Sequence, residues 1–235
     1  MPLYYYGFDW TYIYIVLPCL IVAMLASAKV NSTFNRYSKQ LSSRGISAHD
    51  AALRVLRANG VTNVSIERIN GNLTDQYDPR TNVIRLSDSV YGSTSTAAIG
   101  VACHEAGHAI QYAENYAPIK LRAAIIPVTN IGSKLALPLI LLGVLFGSSY
   151  TLIYLGIGMF ALSLVFQLIT LPVEFNASRR AMCAIEDAEI LSDQELKGAR
   201  KTLTAAAMTY VAAVAVSAAQ LLRLILLFGG RRRND

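Results

Sequence analysis

At 235 residues, 54% of them hydrophobic, and with a mean hydropathy of +0.39, the chain is too apolar for an ordinary soluble domain of its length. Its net charge of +6 comes without a basic stripe interleaved with aromatics, which argues against nucleic acid as a partner and makes the charge a topology signal instead. Three cysteines, Cys19, Cys103 and Cys183, form no paired pattern, so a disulfide framework is not expected and reducing surroundings fit.

Met1 to Thr11 is rich in tyrosine and carries Trp10 at the edge of the first apolar run, the composition of an interfacial aromatic belt. Ala26-Ser-Ala28 imitates a signal-peptidase site, but no Lys or Arg precedes the apolar region, so the segment reads as an uncleaved anchor. A helix crosses a bilayer with about 20 apolar residues. Four stretches qualify: Tyr12 to Ala28, Ala124 to Gly147, Tyr150 to Val173 and Ala205 to Gly229. The junction Gly147-Ser-Ser-Tyr150 makes the second and third a tight helical hairpin.

Eleven Lys and Arg residues fall between Lys29 and Arg122 and five between Arg179 and Lys201, with none before Lys29 and none in the 147–150 turn. By the positive-inside rule both basic segments face the cytoplasm and the N-terminus lies outside. The Arg231 to Arg233 cluster opposes this, since four spans return it to the outside, and it leaves room for a last helix that is re-entrant or interfacial. Lys134 and Arg223 lie within apolar runs. Arg223, near the end of its helix, reads as a snorkelling side chain.

Beyond the anchor, Ser47 stands as an N-cap before an amphipathic helix ending at Asn59-Gly60. His49 sits in its first turn, where a histidine is ordinarily just exposed. Two β-branched runs follow, Val64 to Ile69 and Asn82 to Leu86, separated by turn residues and read as the two strands of a small hairpin. A strand immediately before the next helix can hold an extended peptide along its unpaired edge. Ser93 to Thr96 then caps the next helix.

That helix carries His104-Glu105-Ala106-Gly107-His108. Residues four apart share a helix face, so His104 and His108 can direct their imidazoles at one ion with Glu105 beside the first. Zinc accepts imidazole nitrogen readily, and two histidines with a third protein ligand leave a tetrahedral position for water. Glu105 is then placed to act as general base and afterwards as proton carrier to a leaving amine. Gly107 costs about 1 kcal/mol relative to alanine in a helix interior, which implies close approach by another backbone or by substrate. Cys103 points away from its neighbour His104 and reads as an apolar filler.

The third ligand is expected later in the chain. Glu174, in Leu171-Pro-Val-Glu-Phe-Asn-Ala-Ser-Arg-Arg180, is the first acidic residue after Glu114 and stands where an apolar helix leaves the bilayer. Its ordinary alternative is a helix-end glutamate paired with Arg179 or solvated, and Glu186, Asp187 and Glu189 are the fallback ligands. An oxyanion needs a further donor. Arg179 or Arg180 and Tyr112, one turn past His108, are available, with Arg179 preferred.

Three segments, Leu73 to Ser87, Cys103 to Tyr112 and Leu171 to Arg180, together resemble the YugP-like family of bacterial neutral zinc metallopeptidases over nearly the whole chain. They are more distantly similar to the HtpX-like and CAAX prenyl proteases, whose second motif is Glu-x-x-x-Asp with the glutamate as third zinc ligand. The resemblance implies that Glu174 is that ligand. The motif's aspartate falls on Ser178, a departure, and Ser178 or Asn176 would take over its task of orienting a histidine.

The resulting expectation is a mainly α, polytopic membrane protein of the gluzincin type, with about four transmembrane helices and a small α+β catalytic unit containing a β-hairpin and the HExxH helix. Its parts are an anchor (1–30), a cytoplasmic catalytic part (31–123), a transmembrane hairpin (124–173), a cytoplasmic helical segment with the third ligand (174–204) and a last transmembrane helix with a basic tail (205–235). The implied function is a zinc metalloendopeptidase in the bacterial plasma membrane. It would cut membrane proteins or peptides near the cytoplasmic face, with the bilayer, its polypeptide substrates and other membrane proteins as partners. The competing class is a non-proteolytic membrane interaction protein with a structural zinc, which would need a fourth protein ligand.

Overall fold

The computed structural model describes residues 4–5, 8–147 and 149–229. Ser148 of the 147–150 turn and the Arg231 to Arg233 cluster lie outside them. Strands β1 (Tyr4–Tyr5) and β2 (Phe8–Asp9) pair antiparallel. A π-helical turn at Tyr12–Val16 leads into α1 (Leu17–Tyr37), and α2 covers Ala48–Ala58. Strands β3 (Ser65–Ile69), β4 (Gln76–Asp78) and β5 (Val83–Ser87) precede α3 (Thr96–Ala113), and α4 (Ala117–Leu145), α5 (Tyr150–Asp187) and α6 (Asp193–Phe228) complete the chain. Four helices are long and apolar enough to cross a membrane: Tyr12–Tyr37, Ala117–Leu145, Tyr150–Asp187 and Asp193–Phe228. The last, at 36 residues, has ample length for a full crossing.

The chain divides into two compact units, one made of Met1–Ala26, Leu121–Leu171 and Thr209–Asp235, the other of Ser27–Lys120 and Pro172–Met208. In the first, glycines let helices approach where lipid offers no hydrophobic drive for association. A Cβ on Gly156 of α5 would lie 2.7 Å from the Ala136 carbonyl of α4. Arg223 does not snorkel as expected. Its Nε donates to Asp9 Oδ2 at 2.7 Å, its Nη2 meets the same oxygen, and its guanidinium lies over the Tyr12 ring at 5.4 Å. A carboxylate within reach gives a charge at an apolar helix end a better partner than water at the interface.

In the second unit, α2 begins on Ser47, whose side chain accepts from the Asp50 backbone N–H, and buries Ala51, Ala52, Val55 and Leu56 completely. This face packs on α3. The sheet differs from the expected hairpin of its two β-branched runs. β3 and β5 run parallel, Ile66 opposite Ile84, and β4 inserts as the antiparallel partner of β5, Tyr77 opposite Ile84. The hairpin is therefore β4–β5. The turn-rich Leu73 to Asp78 segment supplies its short first strand, which a search for β-branched residues passes over. The strand immediately before the zinc-motif helix, β5, is thus central and paired on both sides, and the edges belong to β3 and β4.

Candidate metal centre

α3 starts on Ser95, whose side chain accepts from the Ala98 N–H, and it is buried along most of its length. A helix so enclosed needs small residues, and it has them. A Cβ on Gly100 would stand 3.3 Å from Ala199 of α6, and one on Gly107 would stand 2.6 Å from the Ala177 carbonyl oxygen of α5. Gly107 is thus required by another backbone, one of the two reasons its sequence position suggests. With α5 pressed against that point, Glu174 and Ser178, one turn apart on α5, both reach the histidines.

Glu174 Oε2 lies 3.3 Å from His104 Nε2 and 3.5 Å from His108 Nε2. The two imidazoles meet edge to face, with centroids 4.7 Å apart. Among the described residues, His104, His108 and Glu174 are the group of His, Cys, Asp or Glu whose ligand atoms converge, all within 4.8 Å of one another. Zinc bonds of about 2.0–2.2 Å at tetrahedral angles separate ligand atoms by about 3.3–3.6 Å, so the spacings found here suit that ion. A carboxylate that is 2% exposed also needs a positive partner. The donor set therefore fits zinc in chemistry, and its two carboxylate–imidazole separations fit in spacing.

The nitrogens on the far sides of the rings are held as well. Gln111 is fully buried and donates from Nε2 to both the Val173 carbonyl and Asn176 Oδ1, each at 2.9 Å. That fixes Oε1 as the atom 3.0 Å from His108 Nδ1, so Nδ1 carries a proton and Nε2 is the nitrogen that faces the cluster, as a donor to Glu174 when protonated and as a metal ligand when not. Asn176 Oδ1 also accepts from Arg180 Nε at 2.7 Å, and Arg180 Nη1 reaches Glu114 Oε2 at 2.6 Å. His104 Nδ1 lies 3.1 Å from Ser178 Oγ. Ser178 thus contacts His104, and Asn176 acts on His108 through Gln111. Burial pushes the His108 pKa down, but its hydrogen bond to Glu174 and the Glu105 and Glu174 charges outweigh this and leave it raised.

Glu105 is 8% exposed and belongs to the same buried helix. Its charge also acts on Asp75, a residue that sequence reasoning missed. Asp75 precedes β4 and accepts from the Ser87 N–H at 2.8 Å and from the Ser87 hydroxyl. Burial, reinforced by Glu105, raises its pKa against those bonds. Gln111 could have been found from its place three residues past His108 on the same face. Asp75 gives no comparable signal, because the turn that brings it to α3 is not periodic.

The remaining candidates are placed elsewhere or differently. Tyr112 is half-buried, and its ring lies 5.7 Å from that of Tyr77 on β4. Arg179 is exposed, and at five residues past Glu174 it lies about 140° around the helix from the face carrying that carboxylate. Arg180 is committed to Asn176 and Glu114. His49 Nδ1 pairs with Asp50 at 3.0 Å and its ring packs on Tyr91. Glu189 pairs with Arg44. Cys103 is fully buried among apolar residues, and burial pushes its thiol pKa up, as suits a filler.

A buried two-histidine, one-glutamate cluster on an HExxH helix, within a chain of four long apolar helices, defines the class. The chain belongs to the family described as "Putative neutral zinc metallopeptidase", whose profile matches residues 12–229. It is similar to a curated protein of Bacillus subtilis (strain 168), "Putative membrane protease YugP", at 45% identity over 224 residues, 95% of this chain and 99% of that protein. No solved structure gives a significant match.

Proposed function

We propose that the protein is a membrane-embedded zinc endopeptidase in which His104, His108 and Glu174 hold the metal and Glu105 is the general base. The observation that supports this is the convergence of three ligand atoms, with both imidazole Nε2 atoms 3.3 and 3.5 Å from one Glu174 oxygen and His108 held by Gln111 so that Nε2 faces the others. A zinc ion held there supplies Lewis acidity, which lowers the pKa of a water and stabilises charge developing on a carbonyl oxygen. Glu105 takes the water's proton and passes it to the leaving amine. Tyr112, one turn beyond His108, is the donor we assign to the oxyanion, since Arg179 leaves the Glu174 face. The substrate is an extended stretch of membrane protein or peptide. The edge of β4, the hairpin strand joined to α3 through the Tyr77 and Tyr112 rings, supplies its main-chain hydrogen bonds.

Glu105→Gln tests this reading. It is expected to retain full zinc stoichiometry while hydrolysis falls by about 10²–10⁴-fold, and to co-purify with uncleaved polypeptide that wild type releases. Equal peptide products from mutant and wild type would replace the protease with a membrane interaction protein holding a structural zinc.

We place the site on the cytoplasmic face of the plasma membrane and the N-terminus outside, on the distribution of Lys and Arg. A cysteine introduced at the exposed Asn72 is expected to resist an impermeant thiol reagent in intact cells. Its labelling reverses the orientation.

A further inference from the structure

α5 and α6 line a cavity that the proteolytic reading does not use. It has a volume of about 290 Å³ and is lined along α5 by Phe175, Arg179 and Glu186, and along α6 by Ala207, Leu203 and Arg200. The order of these residues follows the membrane boundary. α5 leaves its apolar stretch near Val173 and α6 enters its own near Ala205. Phe175 and Ala207 therefore sit at the end of the cavity nearest the bilayer core. Arg179 lies four residues farther out on α5, about 6 Å along the helix, and Arg200 seven residues farther out on α6, about 10 Å. Leu203 and Ala207 are buried and give an apolar floor, Phe175 is a half-exposed apolar wall, and both arginines are exposed at the rim.

Neither arginine forms an ion pair among the described residues, and the carboxylate at the outer end, Glu186, forms none either. Two guanidinium groups against one carboxylate leave the rim positive. An apolar floor at the membrane side and a paired-cation rim at headgroup depth together describe the shape of one kind of molecule. We propose that this cavity binds an anionic phospholipid, its phosphodiester held between Arg179 and Arg200 and the start of an acyl chain laid on Phe175, Leu203 and Ala207. Arginine's planar fork suits phosphate oxygens, and juxtamembrane cations meet such lipids at the cytoplasmic leaflet. The site lies behind the metal cluster, since Ser178, which also lines the cavity, touches His104 at Nδ1 and the cluster faces Nε2. It is distinct from the substrate edge on β4.

The test uses the full chain purified in detergent, with phosphatidylglycerol as the probe and native mass spectrometry as the readout. Wild type is expected to retain one phosphatidylglycerol under conditions that strip phosphatidylcholine. The double variant Arg179→Gln/Arg200→Gln should lose it at least tenfold, and Arg179→Lys/Arg200→Lys should largely keep it. Zinc content and helical circular dichroism of each variant show whether the fold survives. If the glutamine variant misfolds, Phe175→Ala, which leaves the charges in place, is expected to weaken retention severalfold. Equal retention of phosphatidylglycerol by wild type and a folded glutamine variant overturns the proposal, as does equal retention of phosphatidylcholine. Displacement of the lipid by millimolar inorganic phosphate also overturns it, because the site would then be a phosphate site with no use for the acyl chain. None of these readouts depends on hydrolysis, so the proposal and the peptidase reading fail separately.

Discussion

The two histidines of the cluster face the same carboxylate, yet their far sides are built differently. His108 rests on a buried amide whose two donor bonds, to Val173 and Asn176, leave its oxygen no other task than to accept from Nδ1. His104 rests on a serine hydroxyl. A hydroxyl both donates and accepts, so it permits the metal-binding tautomer without imposing it. The His108 side is a fixed wall and the His104 side an adjustable one. One imidazole is thus pre-set for a metal and the other is able to adapt to it.

Removing the rigid wall should therefore have the largest effect. Gln111→Leu is expected to weaken zinc binding by about 10–100-fold, measured by chelator competition, with helicity unchanged. An affinity equal to wild type would show that the wall is mere packing. The hydroxyl is the smaller support. Ser178→Ala should weaken zinc by about 2–10-fold, the scale of one net hydrogen bond. Ser178→Asp sharpens the contrast, because a carboxylate accepts only and would impose the Nδ1–H form on His104. That variant is expected to bind zinc more tightly than wild type, and weaker binding would mean that the site prefers its adjustable side. Farther out, Arg180→Gln breaks a partly exposed ion pair with Glu114 and loosens Asn176. The loss should stay within about threefold, and a larger one would show that the wall extends to the surface.

The two histidines were legible in the chain because helical spacing alone places residues four apart on one face, and Glu105 stands beside the first of them. Glu174 was legible less directly. Its position at the end of an apolar helix made it a candidate, and the resemblance to other metallopeptidases made it the choice, but the contact that delivers it is the approach of Ala177 to Gly107, which no periodicity encodes. The sheet was half readable. Alternation and β-branching mark Ser65–Ile69 and Val83–Ser87, while Gln76–Asp78 becomes a strand through its partner. Arg223 was misread for a related reason. Its partner Asp9 lies 214 residues away, and only the fold joins them.

That ion pair has a consequence for biosynthesis. Asp9 precedes the first long apolar helix and Arg223 lies far along the fourth, so the carboxylate is made well before its partner. Until α6 is in place the Asp9 carboxylate lacks this partner. Because the pair joins the beginning of the first candidate span to the far part of the fourth, it closes only when the number of membrane crossings between them is even. A chain that inserted with one helix missing or re-entrant would strand both charges on opposite faces of the bilayer, at a cost of several kcal/mol for an unpaired intramembrane ion. With four crossings the two charges meet, and with three they do not.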